Sequence, residues 1–197
     1  MTSPYVGLGT EHWSKKTEEL IAKYPLHMDE LVEVVKLSWE GVFASRVGIK
    51  RFQIGKHIFP KPQIIAFFLH ELIPLELTSR YPGLWRGEEI AADKDVVYIP
   101  DIAYSMEIKT SSHASQIFGN RSYAQEGATG KKSKSGYYLA VNFDKSAKGS
   151  PAPRLRKIRF GWLDHSDWQG QLAATGQQAR LSPEVERGKL RLLFEDR

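Results

Sequence analysis

The sequence predicts an α/β (α+β) fold, on three observations. The N-terminal part carries apolar residues at helical spacing, and the remainder carries short apolar runs bounded by turn signals. The composition is that of a globular chain: 197 residues, 41% hydrophobic and 26% charged, enough to enclose a real core. No internal repeat or long linker divides the chain, so one domain over residues 1–197 is expected.

Each element follows from local pattern. Residues 11–24 place Trp13, Thr17, Leu20, Ile21 and Tyr24 at helical spacing, and Pro25 ends that helix. A second amphipathic helix carries Met28, Leu31, Val32, Val35, Trp39, Val42 and Phe43 on one stripe. Gly48, Gly55 and Pro60 interrupt residues 47–60, leaving a loop with a short strand around Phe52. PQIIAFFLHELI (62–73) reads as a strongly apolar helix with Pro62 in its first turn. Pro74 should kink or end it, with LELTSRY able to continue for a turn or two. Residues 81–87 form a turn-rich loop. Later, GYYLAVNF (136–143) and KIRFGWL (157–163) read as strands, 145–153 as a linker, and the tail from Ser182 as a short helix and a final strand around 190–194.

Composition also excludes. Without cysteine there are no disulfides and no thiolate metal sites. The formal charge of +5 suits a polyanionic partner. No apolar run approaches the roughly 20 residues that span a bilayer, and the polar N-terminus is not a signal peptide. A cytoplasmic location without membrane association is the expectation.

The chemistry concentrates in KDVVYIPDIAYSMEIKTSS (94–112). Two apolar runs joined through Pro100-Asp101 form a hairpin pattern. In a strand, Glu107 and Lys109 share one face while Ile108 points to the core. A further carboxylate would complete a site able to hold a divalent metal and activate a water beside a phosphodiester. With the turn at 100–104, residue 97 lies opposite 107 and residue 95 opposite 109. Asp95 then faces Lys109, diagonal to Glu107 and on the same face. Asp101 would sit in the turn, roughly 15–20 Å away along the ribbon at about 3.4 Å per residue. It remains the alternative acid, with a plain role as a turn residue. Glu71 lies on an apolar helical stripe with Ile64, Phe67 and Phe68, where an acid needs a partner or a metal. It is a further candidate for the site, or else pairs with an arginine or a backbone group.

The Pro-Asp pair followed by Glu107-Ile108-Lys109 resembles the PD-(D/E)xK nuclease superfamily, and specifically its type II restriction endonucleases. MTSPYVG at the start, GNRSYAQ, KSKSGYYLAVNF and FGWLDHSDWQGQ…ATGQQARL resemble the ScaI-like group over nearly the whole chain. The resemblance implies a restriction-endonuclease-like core, a mixed central β-sheet flanked by helices. It also implies Mg²⁺-dependent cleavage of double-stranded DNA by a homodimer on a palindrome, and a cognate DNA methyltransferase as genetic partner only. It suggests AGTACT, cut blunt. One departure stands out: superfamily members usually space their two acids further apart than Asp101 and Glu107, which again favours Asp95.

On that reading Asp95, Glu107 and the Ile108 carbonyl bind Mg²⁺ through hard oxygens, and Lys109 orients the attacking water. Cleavage leaves a 5′-phosphate and a 3′-hydroxyl. For sequence readout, Asn and Gln pair bidentately with adenine and Arg with guanine. Asn120, Arg121, Gln169, Gln171, Gln177, Gln178 and Arg180 are the candidates. Lys131, Lys132 and Lys134, in a basic Gly/Ser loop, are expected to touch phosphates. The rival readings are a structure-specific repair nuclease or junction resolvase on the same core, and a non-catalytic DNA-binding module.

Overall fold

A computed structural model describes residues 2–125, 132–149, 153–173 and 175–196. The chain begins with α1 (Trp13–Ile21) and α2 (Met28–Ala44), followed by a small ribbon of β1 (Arg46–Val47) and β2 (Phe52–Gln53). Next comes α3 (Pro62–Arg80), then β3 (Trp85–Gly87), β4 (Val96–Tyr98), β5 (Met106–Ser111) and β6 (Phe118–Asn120). The long strands β7 (Gly136–Phe143) and β8 (Leu155–Leu163) precede β9 (Trp168–Gly170) and β10 (Gln178–Leu181). The tail is α4 (Pro183–Lys189) and β11 (Leu190–Glu195).

Six strands make the central sheet, in the order β11-β8-β7-β5-β4-β3. β5 and β7 pair in parallel and the other neighbours are antiparallel, so the sheet is mixed. Period-two alternation separates its two faces. Met106, Ile108, Tyr137, Leu139, Val141, Ile158 and Phe160 join the core formed with α1, α2 and α3. Tyr138, Ala140 and Leu163 join a second core with Ile117, Tyr123, Trp168, Ala179, Leu181 and Val185. Over that second face lies a three-stranded sheet, β6-β10-β9. Glu107 and Lys109 alternate with Met106 and Ile108 and so belong to the face that meets the small sheet.

α3 continues through Pro74 to Arg80. A proline inside a helix costs about 3 kcal/mol and removes the amide that would meet the carbonyl of His70. Ile65, Leu69, Ile73 and Leu77 are all fully buried, each contributing about 1.5–3 kcal/mol, and only a continuous helix sets all four on one stripe. Burial wins. Thr78 also bonds back to the Pro74 carbonyl at 2.8 Å.

A buried polar cluster anchors the tail. Lys189 donates to Asp167 Oδ1 at 2.7 Å and Oδ2 at 2.9 Å, and to Asp164 Oδ2 at 3.3 Å. Asp164 also accepts from Ser3 and from the Trp162 indole, and Asp167 from the Asp164 amide. Every carboxylate oxygen has a donor, and the ammonium rests over the rings of Tyr5 and Trp13. Among the described residues no helix is long and apolar enough to cross a membrane.

Candidate active site

The β4–β5 hairpin positions the acids. Val96 pairs with Met106, two residues out from the expected register, which sets Asp95 opposite Glu107 rather than Lys109. The connection is longer than a simple turn. Asp101 accepts from the Ala103 amide at 2.9 Å and caps a 3₁₀ turn at Ile102–Tyr104. Ser105 Oγ takes the Tyr98 amide at 3.1 Å in place of a ladder bond. Because the slip is an even number of residues, it leaves every side chain on its expected face. Asp95 is fixed at the end of the strand by the Ile108 amide, which donates to its Oδ2 at 2.7 Å.

Around Asp95 and Glu107 the structure gathers cations and one phenol. Lys109 Nζ lies 2.7 Å from Glu107 Oε1, 3.2 Å from the Ile108 carbonyl and 2.9 Å from the Tyr123 hydroxyl. That hydroxyl donates in turn to Glu107 Oε1. Lys132 Nζ is 2.8 Å from Asp95 Oδ1 and 3.3 Å from Glu107 Oε2. Lys94, buried behind them, donates to the Ser133 carbonyl at 2.9 Å. Gly136 at the start of β7 allows this: its φ is +143°, and a Cβ there would lie 2.7 Å from Lys94 Cε.

The electrostatics follow from these neighbours. Burial works against the Glu107 charge, but Lys109, Lys132 and two hydrogen bonds outweigh it and pull the carboxyl down to about 2. Burial pushes Lys94 down to about 8, against the attraction of Glu107. Lys132 is also disfavoured by burial, yet Glu107 and Asp95 carry its pKa upward. Burial raises the Tyr123 phenol, and the Glu107 charge adds to it, so it stays protonated as a donor.

Two site neighbours escaped the sequence reading. Tyr123 comes from GNRSYAQ, and Gly119 lets it pack close, since a Cβ there would meet its ring at 3.1 Å. His70 is the other: its Nδ1 stands 3.6 Å from Asp95 Oδ2, and burial lowers its pKa despite the carboxylate. Its neighbour Glu71 had been expected on the buried stripe and is instead exposed. The stripe through Ile64, Phe67 and Glu71 faces outward, with Ile64 and Phe67 about half exposed, while Ile65, Leu69, Ile73 and Leu77 face inward. His70 borders that buried stripe, and only this edge signal could have singled it out.

Lys131 of the basic loop lies outside the described residues. Lys132 lies beside Asp95 and Glu107, and Lys134 Nζ sits 4.2 Å from the Tyr123 ring centroid. The acids draw in one ammonium and the aromatic face the other.

The readout candidates come together on the small sheet. Gln178 pairs with Asn120, and Arg180 stands opposite both Phe118 and Gln169. Ala179 and Leu181 point into the core, so Gln178 and Arg180 face solvent, with Asn120 and Gln169 exposed beside them. Arg121 donates to the Ala173 carbonyl at 3.2 Å, and its amide to the Gln177 carbonyl at 2.7 Å. Gln171 Oε1 accepts from the Gln178 amide at 3.3 Å, and the Gln177 side chain is exposed. A groove of about 880 Å³ runs along these strands past Gln169, Gln171, Gln178 and Arg180.

Among the described residues no three His, Cys, Asp or Glu side chains gather as a metal-binding group. The donor set is leaner: Asp95, Glu107 and the Ile108 carbonyl, all hard oxygens. It suits a cation such as Mg²⁺ that keeps several waters. Glu107 Oε2 supports the fit. It is buried without a hydrogen bond, the Lys132 approach at 3.3 Å being an ion pair only, and a buried bare carboxylate oxygen calls for a cation.

A mixed sheet flanked by helices, with an acid pair and a lysine at the parallel strand β5, defines a restriction-endonuclease-like core. The sequence comparisons narrow this class. The ScaI restriction endonuclease family model matches residues 3–194. The type II restriction enzyme ScaI of Streptomyces caespitosus is 50% identical over 190 residues, covering 95% of this chain and 83% of that protein. The chain belongs to the ScaI restriction endonuclease family. No solved structure matches it.

Proposed function

We propose that this chain is a type II restriction endonuclease, a single nuclease domain that cuts both strands of DNA at a palindromic site with Mg²⁺. The observation that carries the reading is the convergence of Asp95, Glu107 and Lys109, with one Glu107 oxygen left without a hydrogen bond. Asp95, Glu107 and the Ile108 carbonyl would hold the metal, which supplies charge neutralisation at the scissile phosphate and a water of lowered pKa. Tyr123 and Lys109 hold Glu107 Oε1, so that Oε2 is the oxygen presented. The ammonium of Lys109, fixed in β5 by three contacts, orients the attacking water and stabilises negative charge that develops on the phosphate. A 5′-phosphate and a 3′-hydroxyl result.

The exposed face of Asn120, Gln169, Gln178 and Arg180, with Arg121, Gln171 and Gln177 beside it, reads base edges in this proposal. Two copies on a palindrome place two such centres, one per strand. The relative's name supports the restriction activity, and the sequence likeness suggests AGTACT with blunt ends. A cytoplasmic location and a cognate methyltransferase as genetic partner belong to the same proposal.

Digestion of plasmid DNA with Mg²⁺, followed by sequencing of the fragment ends, tests it. Discrete cuts at one palindrome are expected. Cleavage only at branched or damaged DNA would instead indicate a repair nuclease or resolvase. Binding without any Mg²⁺-dependent cleavage would indicate a non-catalytic DNA-binding module.

A further inference from the structure

The four carboxylate oxygens of Asp95 and Glu107 are divided between two kinds of partner. Asp95 Oδ2 is taken by the Ile108 amide, and Glu107 Oε1 by Lys109 and Tyr123. These donors belong to β5 and to the turn after β6, elements fixed in the fold. The remaining oxygens, Asp95 Oδ1 and Glu107 Oε2, lie 2.8 and 3.3 Å from a single atom, Lys132 Nζ. Its third contact is Glu88 Oε2 at 3.2 Å, on an exposed side chain. Lys132 thus stands at the oxygens through which Asp95 and Glu107 could share a cation, hydrogen-bonded to one and ion-paired with the other.

We propose that Lys132 is a built-in competitor for the cation site, an ammonium that must leave when a divalent metal enters and that thereby sets the metal affinity. This rests on the metal-binding reading of Asp95 and Glu107. Charge balance supports it. Two carboxylates face two ammoniums, Lys109 and Lys132, with Lys94 close behind. A divalent cation added to that set would leave an excess of positive charge in a poorly solvated place, whereas exchanging it for Lys132 limits the excess. The two lysines are also built differently. Lys109 is held in the middle of β5, while Lys132 reaches in from a loop on a flexible four-carbon stem. An ammonium leaving the acids can take a DNA phosphate as its new partner, a charge-assisted bond of similar kind. The same residue can therefore guard the acids and later touch the backbone.

Calcium titration of the DNA-free protein by calorimetry tests the proposal without relying on cleavage. Lys132→Gln should bind Ca²⁺ at least about tenfold more tightly than the wild type, since one positive charge at contact distance is removed. Lys132→Arg, which keeps the charge, should stay close to the wild type. Far-ultraviolet circular dichroism establishes that each variant is folded. Equal or weaker Ca²⁺ binding by Lys132→Gln overturns the proposal, as does an equal gain in Lys132→Arg or no binding by either variant. Adding Glu107→Ala to each protein separates the two levels. Loss of binding is expected, and binding that survives it rejects the metal site itself rather than the competitor.

Discussion

Among the described residues, Lys189 and Lys132 each join a pair of acids that share a cluster, and they are opposites. Lys189 meets Asp164 and Asp167 in a place where all four oxygens have donors and two aromatic rings cover the ammonium. Lys132 meets Asp95 and Glu107 where one oxygen has an ion pair but no hydrogen bond, and the lysine comes from a loop. A saturated cluster can only hold the fold together. An unsaturated one holds binding capacity in reserve. Hydrogen-bond completeness, rather than charge or burial, separates the structural site from the candidate reactive one.

The difference can be broken in four ways. Glu107→Ala or Lys109→Ala should lower cleavage at least about a thousandfold with the fold and DNA binding kept. A plasmid digest alongside a thermal melt reads both, and retained cleavage in either variant removes the site from consideration. Lys189→Met should destabilise the protein by about 3–5 kcal/mol, because it strands two buried carboxylates. Lys132→Met should change stability by about 1 kcal/mol or less; urea unfolding compares the pair, and equal losses would erase the distinction.

Acid should act on the two clusters with opposite sign. Glu107 is held at about 2, below the usual 4.5, so its stabilisation is present above about pH 4.5 and is lost as pH falls toward 2. By linkage this amounts to about 3 kcal/mol. Asp167 is raised by burial, against the pull of Lys189, so its protonation on acidification favours the folded state. Urea unfolding from pH 5 to 2 should show the wild type losing ground to Glu107→Gln; parallel curves would contradict this. The smallest effect belongs to Asp101→Ala. Loss of its cap on Ala103 should cost about 1 kcal/mol and leave the cleavage rate unaltered, whereas an inactive variant would return Asp101 to the site.

How much of this was legible depended on the period of each element. The strands β7 and β8 announced themselves as continuous apolar runs, and in β5 period two alone put Glu107 and Lys109 on one face. Parity of the hairpin alone put Asp95 on the face of Glu107 and Lys109, so an expected register two residues off still left it beside Glu107. α3 was harder because it is apolar nearly all round. With Ile64, Ile65, Phe67, Phe68, Leu69, Leu72 and Ile73 to choose among, the stripe through Glu71 looked as good as the one bordered by His70. The small sheet was not legible at all. β6, β9 and β10 are three or four residues long, rich in Gly and Gln, and only pairing between distant segments makes them strands. Residue chemistry nominated Asn120, Gln169, Gln178 and Arg180 from separate stretches, but their common face is a product of register. Lys132 read as a phosphate-contacting lysine because nothing local records that it lies beside Asp95 and Glu107.

The capped connection between β4 and β5 has a consequence for how such enzymes can vary. Residues inserted or deleted there change the length of the connection and need not change the pairing of Val96 with Met106 that sets Asp95 opposite Glu107. The loop can therefore lengthen or shorten over generations without disturbing the two acids. The chain distance between them is a poor key for finding such a pair, and the strand pairing is a better one.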